Sequence, residues 1–258
     1  MATGTFIESA ELYDAIYGFK HYASEAERLR ALINSSVPGA RTILDVACGT
    51  GEHARFLKAH YAIDGADIND NYLRAARFKN PTGKYARADM TNFDFGRTYD
   101  VVTCLFSAIA IVKTFERLEA AVACMARHVR PGGALIIEPW FTPDNWRPGA
   151  PFMLGGEIGS SRVYRLSHNL REGQLSVLLH HYLLVRSDNV EHYGERIELG
   201  LFSRDEIAWA LESAGFAARY DAEGLMGRGL YIAMRDPRLR TDRDRPAEIS
   251  NRAGRAHR

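Results

Sequence analysis

Hydrophobic and polar positions follow two rhythms along the chain. Between residues 42 and 139, short β-favouring runs alternate with stretches that carry apolar residues at helical spacing. The predicted strands are residues 42–47, 62–68, 84–89, 99–106 and 134–139, and the predicted helices are residues 54–60, 72–78 and 118–129. Such alternation is typical of βαβ units. We therefore predict an α/β domain with a doubly wound, mostly parallel sheet that helices cover on both faces.

The rhythm changes after residue 140. Prolines and glycines between residues 143 and 159 indicate a long loop, and short polar turns then separate three strand-like runs, which is typical of an antiparallel meander. The three runs are residues 162–170, 174–186 and 191–201. Ser203 with Glu206 then predicts a capping box at the start of a helix. Two closing strands are predicted after that helix, at residues 217–221 and 229–234. The three-strand meander is therefore expected to be an insertion in the α/β domain.

The two ends of the chain differ from these regions. Residues 13–33 favour a helix, which Pro38 and Gly39 bring to an end. Residues 238–258 contain seven arginines, three acidic residues and few large apolar ones, so we predict a disordered basic tail. Four parts are expected: an N-terminal helical segment at 1–37, the α/β domain at 38–140 and 201–236, the inserted meander at 141–200 and the tail at 237–258.

The overall composition excludes several broad classes of protein. With 258 residues, 46% hydrophobic and 25% charged, the chain is close to the average globular protein, which argues against a disordered, collagen-like or disulfide-stapled protein. The net charge is +1, and because the tail contributes seven arginines and three acids, or +4, the rest of the chain carries −3. That body lacks the basic excess of nucleic-acid-binding proteins. No nucleic-acid partner is expected.

The cysteines and the apolar runs bear on location. The three cysteines form no CxxC pair, which is typical of a protein from a reducing compartment. No secretory signal is recognisable at the start of the sequence. The longest apolar run, residues 104–112, is far shorter than the about 20 residues that cross a bilayer. We expect a cytoplasmic protein that does not bind membranes.

The most specific segment joins the first predicted strand to the first helix. Asp45 lies in the strand, and Gly49 and Gly51 form the turn. Glycine reaches positive φ without strain and lets a ligand approach the backbone, and the helix that follows presents unpaired N–H groups. With Ala54, and with Asp67 about 20 residues further on, the turn also fits the dinucleotide fingerprint. A nicotinamide-dependent oxidoreductase, another nucleoside-binding protein and a simple tight turn all remain open at this point.

Three further features favour a different cofactor. Asp67 ends the second predicted strand, where a carboxylate can accept hydrogen bonds from two ribose hydroxyls. Asp89 and Met90 end the third predicted strand, where Asp89 can accept a hydrogen bond from an adenine amino group and Met90 can pack on the adenine ring. The segment Arg130-Pro131-Gly132-Gly133 precedes the fifth predicted strand. In this order, and with the glycine turn before them, these motifs resemble the class I S-adenosylmethionine-dependent methyltransferases over residues 10–140 and 201–235.

That resemblance implies a Rossmann-like fold, S-adenosyl-L-methionine as the cofactor and a set of residues that bind it. The implied residues are Tyr13, Tyr22, Asp45, Ala47, Gly49, Thr50, Gly51, Asp67, Ile68, Asp89, Met90 and Leu105. Methyl transfer from a sulfonium is an in-line displacement, so it needs alignment of the reactants more than a strong acid or base. No metal ion is expected, because His180 and His181 point to opposite faces of a strand and the other histidines lack ligand spacing.

A finer resemblance extends over nearly the whole folded body. Tyr13-Asp14-x-x-Tyr17 followed by Lys20-His21-Tyr22 looks like the N-terminal lid of the sugar N-methyltransferases, which methylate amino groups of nucleotide-linked deoxysugars in antibiotic pathways. Other segments similar to the same family are residues 45–51, 104–107, 138–140, 165–168 and 227–230 and the meander insertion. The resemblance implies that residues 1–37 form a lid, that the meander helps to form a homodimer, and that the substrate is an amino sugar carried on a nucleotide.

The acceptor substrate needs contacts of its own. The candidate substrate-binding residues are Tyr17, Phe106, Trp140, Trp146, Arg165, His168 and Arg228. Guanidinium groups suit phosphate oxygens, so Arg165 and Arg228, together with His168, are expected to hold a phosphorylated substrate. The alternative is that Arg165 and His168 lie on a solvated face of the meander. Trp140 and Trp146 either form a wall of the acceptor pocket or only cover the sheet.

One segment departs from the sugar N-methyltransferases. After Phe106-Ser107 the family often has a second serine, then isoleucine, glycine and a histidine or aromatic residue, whereas this chain has Ala108-Ile109-Ala110-Ile111. Aliphatic side chains cannot position or deprotonate an amine. No catalytic residue is therefore assigned, although Tyr13 and Ser107 are candidates. An O- or C-methyltransferase of another small natural product remains an alternative, and so does a cofactor-binding protein without turnover.

Overall fold

Two β-sheets organise the chain. The computed structural model describes residues 9–149 and 151–238. The strands of the first sheet are, in spatial order, β10 (Phe216–Asp221), β11 (Leu230–Arg235), β5 (Val129–Ile137), β4 (Tyr99–Cys104), β1 (Thr42–Val46), β2 (Ala62–Asp67) and β3 (Tyr85–Arg87). From β5 to β3 the strands are parallel, and β11 is antiparallel to both of its neighbours. The predicted doubly wound, mostly parallel sheet with two closing strands is confirmed.

Helices connect these strands and cover both faces of the sheet. They are α1 (Ala10–Ile16), α2 (Tyr22–Ser36), α3 (Glu52–Leu57), α4 (Asp70–Lys79), α5 (Phe115–Ala126) and α6 (Arg204–Ser213), with a short 3-10 helix at Ala108–Val112. The adjacent residues Val101 and Val102 are both fully buried, one in each of two hydrophobic clusters. Because neighbouring residues of a strand point to opposite faces, both faces must be covered. None of the described helices has the length and apolar character needed to cross a membrane.

The second sheet is antiparallel and has four strands, one more than the sequence predicts. They are β6 (Phe152–Ile158), β7 (Ser161–Glu172), β8 (Leu175–Val185) and β9 (Val190–Gly200), in that spatial order. β6 lies in the segment whose glycines indicate a loop. A Cβ at Gly156 would lie 2.2 Å from the Ala15 carbonyl oxygen, so this glycine lets the strand approach α1 closely. The inserted meander is confirmed, and its first strand is missed because its glycine serves packing rather than a turn.

The helix predicted over residues 13–33 is in fact two helices. α1 is capped by Ser9, whose hydroxyl accepts a hydrogen bond from the Leu12 N–H, and it packs against β6 and β7. α2 buries Ala26, Leu29 and Ile33 in the core beside β1 and β2. α2 is therefore part of the α/β body, whereas α1 packs on the second sheet.

Other boundaries are close to those predicted. The helix expected to end at residue 129 ends at Ala126, and β5 begins at Val129. Ser203 Oγ accepts a hydrogen bond from the Glu206 N–H, and the Glu206 carboxylate accepts one from the Ser203 N–H, which confirms the capping box. Nearly all of the tail predicted at 237–258 lies outside the described residues.

Candidate active site

Both sheets contribute to one cavity of about 840 Å³. Asp45, Asp67 and Leu105 line it from the carboxyl ends of β1, β2 and β4, where open α/β sheets bind ligands. α1 contributes tyrosines, and the inner face of the second sheet contributes polar side chains from β7 and β8. We call the part beside β1 and β2 the turn half of the cavity and the part beside β7 and β8 the meander half.

The glycine turn between β1 and α3 is shaped for the close approach of a ligand. Gly51 has a φ of +78°, and a Cβ there would lie 2.9 Å from Ala76 of α4. Gly49 has a φ of +55°, and no described atom lies within 4 Å of the position that its Cβ would take. The Gly49 N–H donates to Asp67 Oδ2 at 2.8 Å, which ties the turn to the end of β2. Gly51 thus permits the turn to pack against α4, and Gly49 leaves the backbone open to a ligand.

Two acidic side chains flank this turn, Asp45, which is buried, and Asp67, which is partly buried. Thr103 Oγ1 donates to Asp45 Oδ1 at 2.7 Å, and the Asn69 N–H donates to Asp67 Oδ1 at 2.9 Å. Burial raises the pKa of both carboxyl groups. A carboxylate has about four acceptor positions, so Asp67 keeps capacity for ribose hydroxyls beyond its backbone bonds. Ile68, 61% exposed, offers an apolar surface beside it. These residues fit the adenosyl part of S-adenosylmethionine.

α1 covers one side of the cavity and is bonded to the glycine turn. Tyr13 and Tyr17 both line the cavity, with ring centroids 4.6 Å apart. Asp14 accepts hydrogen bonds from Thr50 Oγ1 and from Lys79 Nζ, each at 2.5 Å. Burial raises the pKa of Tyr13 well above its ordinary value, so its hydroxyl stays protonated. Two polar contacts thus hold α1 beside the turn half.

A buried ionic chain lies behind Tyr22, which also lines the cavity. Lys20 Nζ donates to Glu25 Oε1 at 2.8 Å, and His53 Nε2 lies 2.9 Å from Glu25 Oε2. Although burial opposes ionisation, hydrogen bonds from His53 and Lys20 lower the pKa of Glu25. The Tyr22 ring packs edge-on against the His53 ring, with centroids 5.1 Å apart. No sequence signal marks His53, because it meets Glu25 only when α2 packs on α3.

Polar side chains on the inner face of the second sheet form the opposite wall. Arg165, Asn169, His180 and Tyr182 line the cavity there. Arg165 is only 4% exposed, and its Nη1 donates to Tyr17 Oη at 2.7 Å. Arg165 Nε and Asn169 Oδ1 are buried and have no hydrogen-bond partner among the described residues. Since buried polar atoms are normally satisfied, this wall is suited to a polar ligand.

Arg228 and Trp140 line the cavity beside Phe106. Arg228 Nη2 lies 3.3 Å from Oε1 of the fully buried Glu138, which also accepts a hydrogen bond from the Phe106 N–H at 2.7 Å. The Arg228 guanidinium lies 5.6 Å from the centre of the Trp140 ring. Arg228 Nε and the Trp140 indole N–H are buried without a partner in the described ranges. Glu138 thus positions Arg228, which keeps a donor for a ligand.

The aliphatic segment of the sequence falls on the cavity wall. Ala108 and Ile111 belong to the 3-10 helix, both line the cavity, and Ile111 is 49% exposed. Ser107 also lines the cavity, but its hydroxyl donates to the Pro139 carbonyl oxygen at 2.7 Å. The candidate catalytic serine therefore has its proton already engaged.

Four of the candidate residues lie away from the cavity. His168 follows Arg165 by three positions in β7 and is exposed on the outer face of the sheet, because residues at odd spacing in a strand point to opposite sides. Trp146 is buried in the loop before β6 and does not line the cavity. Asp89 lies beyond the end of β3 and forms a 3.0 Å ion pair with an arginine of α5. Met90 packs against the hydrophobic core.

The structure brings most of the remaining candidates together. Those that line the cavity are Tyr13, Tyr17, Tyr22, Asp45, Ala47, Gly49, Thr50, Asp67, Ile68, Leu105, Phe106, Ser107, Trp140, Arg165 and Arg228. Gly51 belongs to the turn itself. Cavity residues that the sequence analysis missed include His53, Tyr72, Asn169, His180 and Tyr182. For the last three a signal existed, since polar residues alternate at Arg165, Ser167 and Asn169 in β7 and at His180 and Tyr182 in β8.

Known proteins share this architecture. A sequence profile described as a methyltransferase domain matches residues 43–133. A dTDP-3-amino-3,6-dideoxy-alpha-D-glucopyranose N,N-dimethyltransferase from Streptomyces fradiae is 36% identical over 231 residues, covering 88% of this chain and 91% of that protein. The crystal structure of Streptomyces venezuelae DesVI superposes with a TM-score of 0.83 at 33% identity, over 88% of this chain and 98% of that one. S-adenosylmethionine-bound CalS10, an amino pentose methyltransferase from Micromonospora echinaspora, superposes with a TM-score of 0.77 at 32% identity, over 84% of this chain and 93% of that one.

These relatives decide between the alternatives that the glycine turn leaves open. A relative of this identity and coverage establishes the family, which sets aside the nicotinamide-dependent oxidoreductase and the binding protein without turnover. The cofactor is S-adenosylmethionine, as the fit of the turn half to an adenosyl group and the cofactor-bound relative agree. The resemblance stated from the sequence is confirmed. The chain belongs to the class I S-adenosylmethionine-dependent methyltransferases, in the family that includes the dTDP-amino-sugar N,N-dimethyltransferases.

Proposed function

We propose that this enzyme methylates the amino group of a dTDP-linked amino deoxysugar. The observation that carries the proposal is the continuity of the cavity: the turn half, which fits a nucleoside, opens into a meander half with two largely buried arginines, Arg165 and Arg228. The Streptomyces fradiae relative is an N,N-dimethyltransferase of such a sugar, and its similarity extends through the meander. This substrate class explains both halves of the cavity at once.

The chain's own residues meet the needs of methyl transfer to an amine. When bound, S-adenosylmethionine supplies a methyl group that leaves the sulfonium sulfur as the bond to nitrogen forms. Asp67 and the glycine turn hold one reactant and the meander half holds the other, and such alignment contributes about 7–11 kcal/mol. Tyr13 and Tyr17 cover the cavity, where they exclude water and present aromatic faces that suit a cationic centre. No strong base is needed for this reaction.

Arg165 and Arg228 are proposed to bind the diphosphate of the nucleotide sugar. A guanidinium has five N–H donors, and an N–H of Arg165 Nη1 donates to Tyr17, which leaves further donors for a ligand. Arg228 is held by Glu138, so its side chain is oriented before the substrate arrives. Planar guanidinium groups suit phosphate oxygens, and a low-dielectric site strengthens such charge-assisted hydrogen bonds. His168 is not included, because it lies on the outer face of β7.

The proposal is tested by incubating the full chain with S-adenosylmethionine and dTDP-3-amino-3,6-dideoxyglucose. We expect products that are heavier by one and then two methyl groups, detected by mass spectrometry. dTDP-glucose, which carries the same nucleotide without an amine, is the matched control and should remain unchanged. Methylation of the control would favour the O-methyltransferase alternative, and no methylation of any dTDP-linked amino sugar would contradict the proposal.

A hydroxyl or carbon acceptor is the second candidate, and one observation favours it. Ala108 and Ile111 give the cavity an aliphatic wall at the segment where related enzymes often carry polar side chains. An apolar wall suits a less polar natural product than an amino sugar. The same assay, run with a panel of hydroxylated small molecules, separates this candidate from the amino sugar.

The homodimer predicted from the sequence is also part of the proposal. Met153 of β6 and Leu166 of β7 lie side by side on the outer face of the second sheet, and both are exposed. Val190 at the start of β9 is exposed as well. Exposed apolar patches of this kind mark interaction surfaces. A second copy of the chain is the proposed partner, through this outer face.

A role in antibiotic biosynthesis and a cytoplasmic location complete the proposal. CalS10, a structural relative, is involved in calicheamicin biosynthesis, and amino deoxysugars are the substrate class proposed here. All three cysteines are free thiols, and Cys104 and Cys124 are buried. Free buried thiols are typical of proteins that fold in a reducing compartment.

A further inference from the structure

His180 of β8 is held in a defined tautomer in the meander half. The side chain is 3% exposed and lines the cavity. Its Nδ1 lies 3.2 Å from Tyr182 Oη, and the Tyr182 hydroxyl donates to Glu195 Oε2 at 2.9 Å. Because that hydroxyl has one proton, the Tyr182 oxygen acts as the acceptor towards Nδ1. Nδ1 therefore carries the imidazole proton, and Nε2 is left with a lone pair.

The surroundings of His180 keep the imidazole neutral. Burial, and after it the Arg165 guanidinium, lowers the pKa of His180 to about 3. The other titratable groups around it are Tyr182 on its own strand, Glu195 on β9 and His181 on the outer side of β8. Burial raises the pKa of Tyr182, so its hydroxyl remains a donor. No residue in the described ranges bonds to Nε2 of His180.

His180 also offers a hydrogen-bond acceptor in the cavity, which the aliphatic segment does not. Ala108 and Ile111 offer no hydrogen bonds from their side chains, and the Ser107 proton is engaged by Pro139. The other imidazole that lines the cavity, His53, has its Nε2 bonded to the buried Glu25. Among the imidazoles that line the cavity in the described chain, His180 is therefore the one whose Nε2 lone pair is open to a substrate.

We propose that His180 Nε2 accepts a hydrogen bond from an N–H of the acceptor amine and so directs the amine lone pair towards the methyl donor. This inference rests on the proposed function. A neutral primary amine has N–H donors and one lone pair, so fixing one N–H restricts where the lone pair points. His180 would then be a catalytic residue that touches the substrate, and its task is orientation rather than removal of a proton.

The movement of protons and electrons in the methyl transfer agrees with an orienting role for His180. The nitrogen lone pair forms the new N–C bond while the C–S bond breaks and its electron pair stays on sulfur. The nitrogen keeps its protons and becomes positively charged. A neutral acceptor at an N–H therefore binds more strongly as the charge develops, which stabilises the transition state more than the bound amine. The product leaves as an ammonium ion and loses its proton to water.

Matched variants separate orientation from folding. His180→Val removes the acceptor, His180→Gln keeps an amide oxygen, and His181→Val changes the neighbouring histidine on the outer face. With dTDP-3-amino-3,6-dideoxyglucose we expect His180→Val to lower kcat/KM about 100-fold, mainly through kcat, with the Kd for S-adenosylmethionine changed by no more than about twofold. His180→Gln should recover part of the loss, and His181→Val should match the wild type.

Nitrogen NMR of the histidines in the full chain gives a readout that does not depend on turnover. We expect His180 to be protonated at Nδ1 and to stay neutral from about pH 8 to about pH 5, a range in which an ordinary histidine titrates near 6.5. A proton on Nε2, or a titration near 6.5, would overturn the inference. An unchanged kcat/KM in His180→Val, with active wild type, would overturn it as well and leave the proposed function intact. If the wild type itself methylates no amino sugar, the proposed function and this inference fail together.

Discussion

Asp67 bonds to the protein backbone and is also proposed to bind the cofactor. Its two carboxylate oxygens accept hydrogen bonds from the Gly49 and Asn69 N–H groups, which hold the glycine turn against the end of β2. The acceptor positions that remain are those available to ribose hydroxyls. Removing the carboxylate therefore loosens the turn and removes ligand contacts together.

We expect Asp67→Ala to weaken S-adenosylmethionine binding by about 1–3 kcal/mol, or about 5- to 150-fold in Kd. Isothermal titration calorimetry measures this loss directly. Asp67→Asn is the matched variant, because it keeps one carbonyl acceptor and should lose less affinity. An affinity equal to that of the wild type in Asp67→Ala would remove Asp67 from the cofactor site.

The neutral state of His180 also makes stability depend on pH. Its pKa is about 3 in the folded protein and about 6.5 when unfolded, so between these values the unfolded chain binds more protons. The free energy of unfolding therefore decreases as the pH falls below about 6.5. At pH 5 this histidine lowers it by about 2 kcal/mol relative to neutral pH.

Denaturant unfolding of the wild type and His180→Val at about pH 7.5 and about pH 5 measures that contribution. We expect the wild type to lose about 2 kcal/mol more than the variant on acidification. Asp45 and Asp67 have raised pKa values, which change stability with pH in the opposite direction. Because both proteins contain these residues, their contributions cancel in the comparison. Equal losses in the two proteins would show that His180 is protonated as readily in the folded chain as in the unfolded one.

Individual site residues are predictable from the sequence where the motif is local. Gly49 and Asp67 are found because a strand, a turn and a second strand leave a short, ordered signature. His53 is not found, since it bonds to Glu25, 28 positions away, and the tautomer of His180 does not follow from the sequence, since it depends on the bond between Tyr182 and Glu195. His168 is misplaced for a different reason: a motif groups it with Arg165, whereas the two-residue period of a strand separates them.

At the scale of elements, α1 depends on its contacts. A helix of seven residues is too short to be stable alone. Ile16 packs with Val163 and Tyr182 of the second sheet, and Asp14 bonds to Thr50 and Lys79 at the turn. We propose that α1 acts as a lid over the cavity and that these contacts set how often it opens. A helix that is held by a few polar bonds can open without unfolding the body.

We expect Asp14→Asn to weaken the contacts to Lys79 and Thr50 and to raise the opening frequency of α1. Amide hydrogen exchange in residues 10–16 should become faster, and the affinity for S-adenosylmethionine should fall by about tenfold at most. Glu11→Gln, in the exposed first turn of the same helix, is the control and should leave both quantities unchanged. Unchanged exchange in Asp14→Asn would contradict the lid role of this helix.

Helices and strands are predicted correctly where nearby residues in the sequence determine them. The capping box of α6 and the alternating strands of the first sheet follow from nearby residues, and both are confirmed. β6 is missed because Gly156 resembles a turn residue until the position of Ala15 is known. The single helix predicted over residues 13–33 fails similarly, since its two parts pack on different cores: α2 on the core of the first sheet and α1 on that of the second.

At the scale of the whole molecule, the two sheets contribute different residues to the cavity. The first sheet presents the glycine turn, Asp45 and Asp67, and the inner face of the second presents Arg165 and His180. The doubly wound topology follows from the sequence rhythm. The position of the second sheet relative to the first does not, because it depends on side-chain packing of α1 against β6 and β7.

We expect the wild type to elute with twice the monomer mass in size-exclusion chromatography with light scattering. Leu166→Glu should give a monomer, because a charge in the proposed interface would lose its hydration on association. Phe78→Glu, on the highly exposed end of α4, is the control and should stay dimeric. A monomeric wild type would refute the proposed dimer without affecting the proposed chemistry.

The position of α1 has a consequence for how the two ligands influence one another. Asp14 bonds the helix to the glycine turn, and Tyr17, which directly follows the last residue of the helix, accepts a hydrogen bond from Arg165 of the second sheet. A ligand that orders α1 from either side therefore reduces the cost of ordering it from the other. Thermodynamic linkage requires the effect to be reciprocal, so the factor by which the cofactor raises nucleotide-sugar affinity equals the factor by which the sugar raises cofactor affinity.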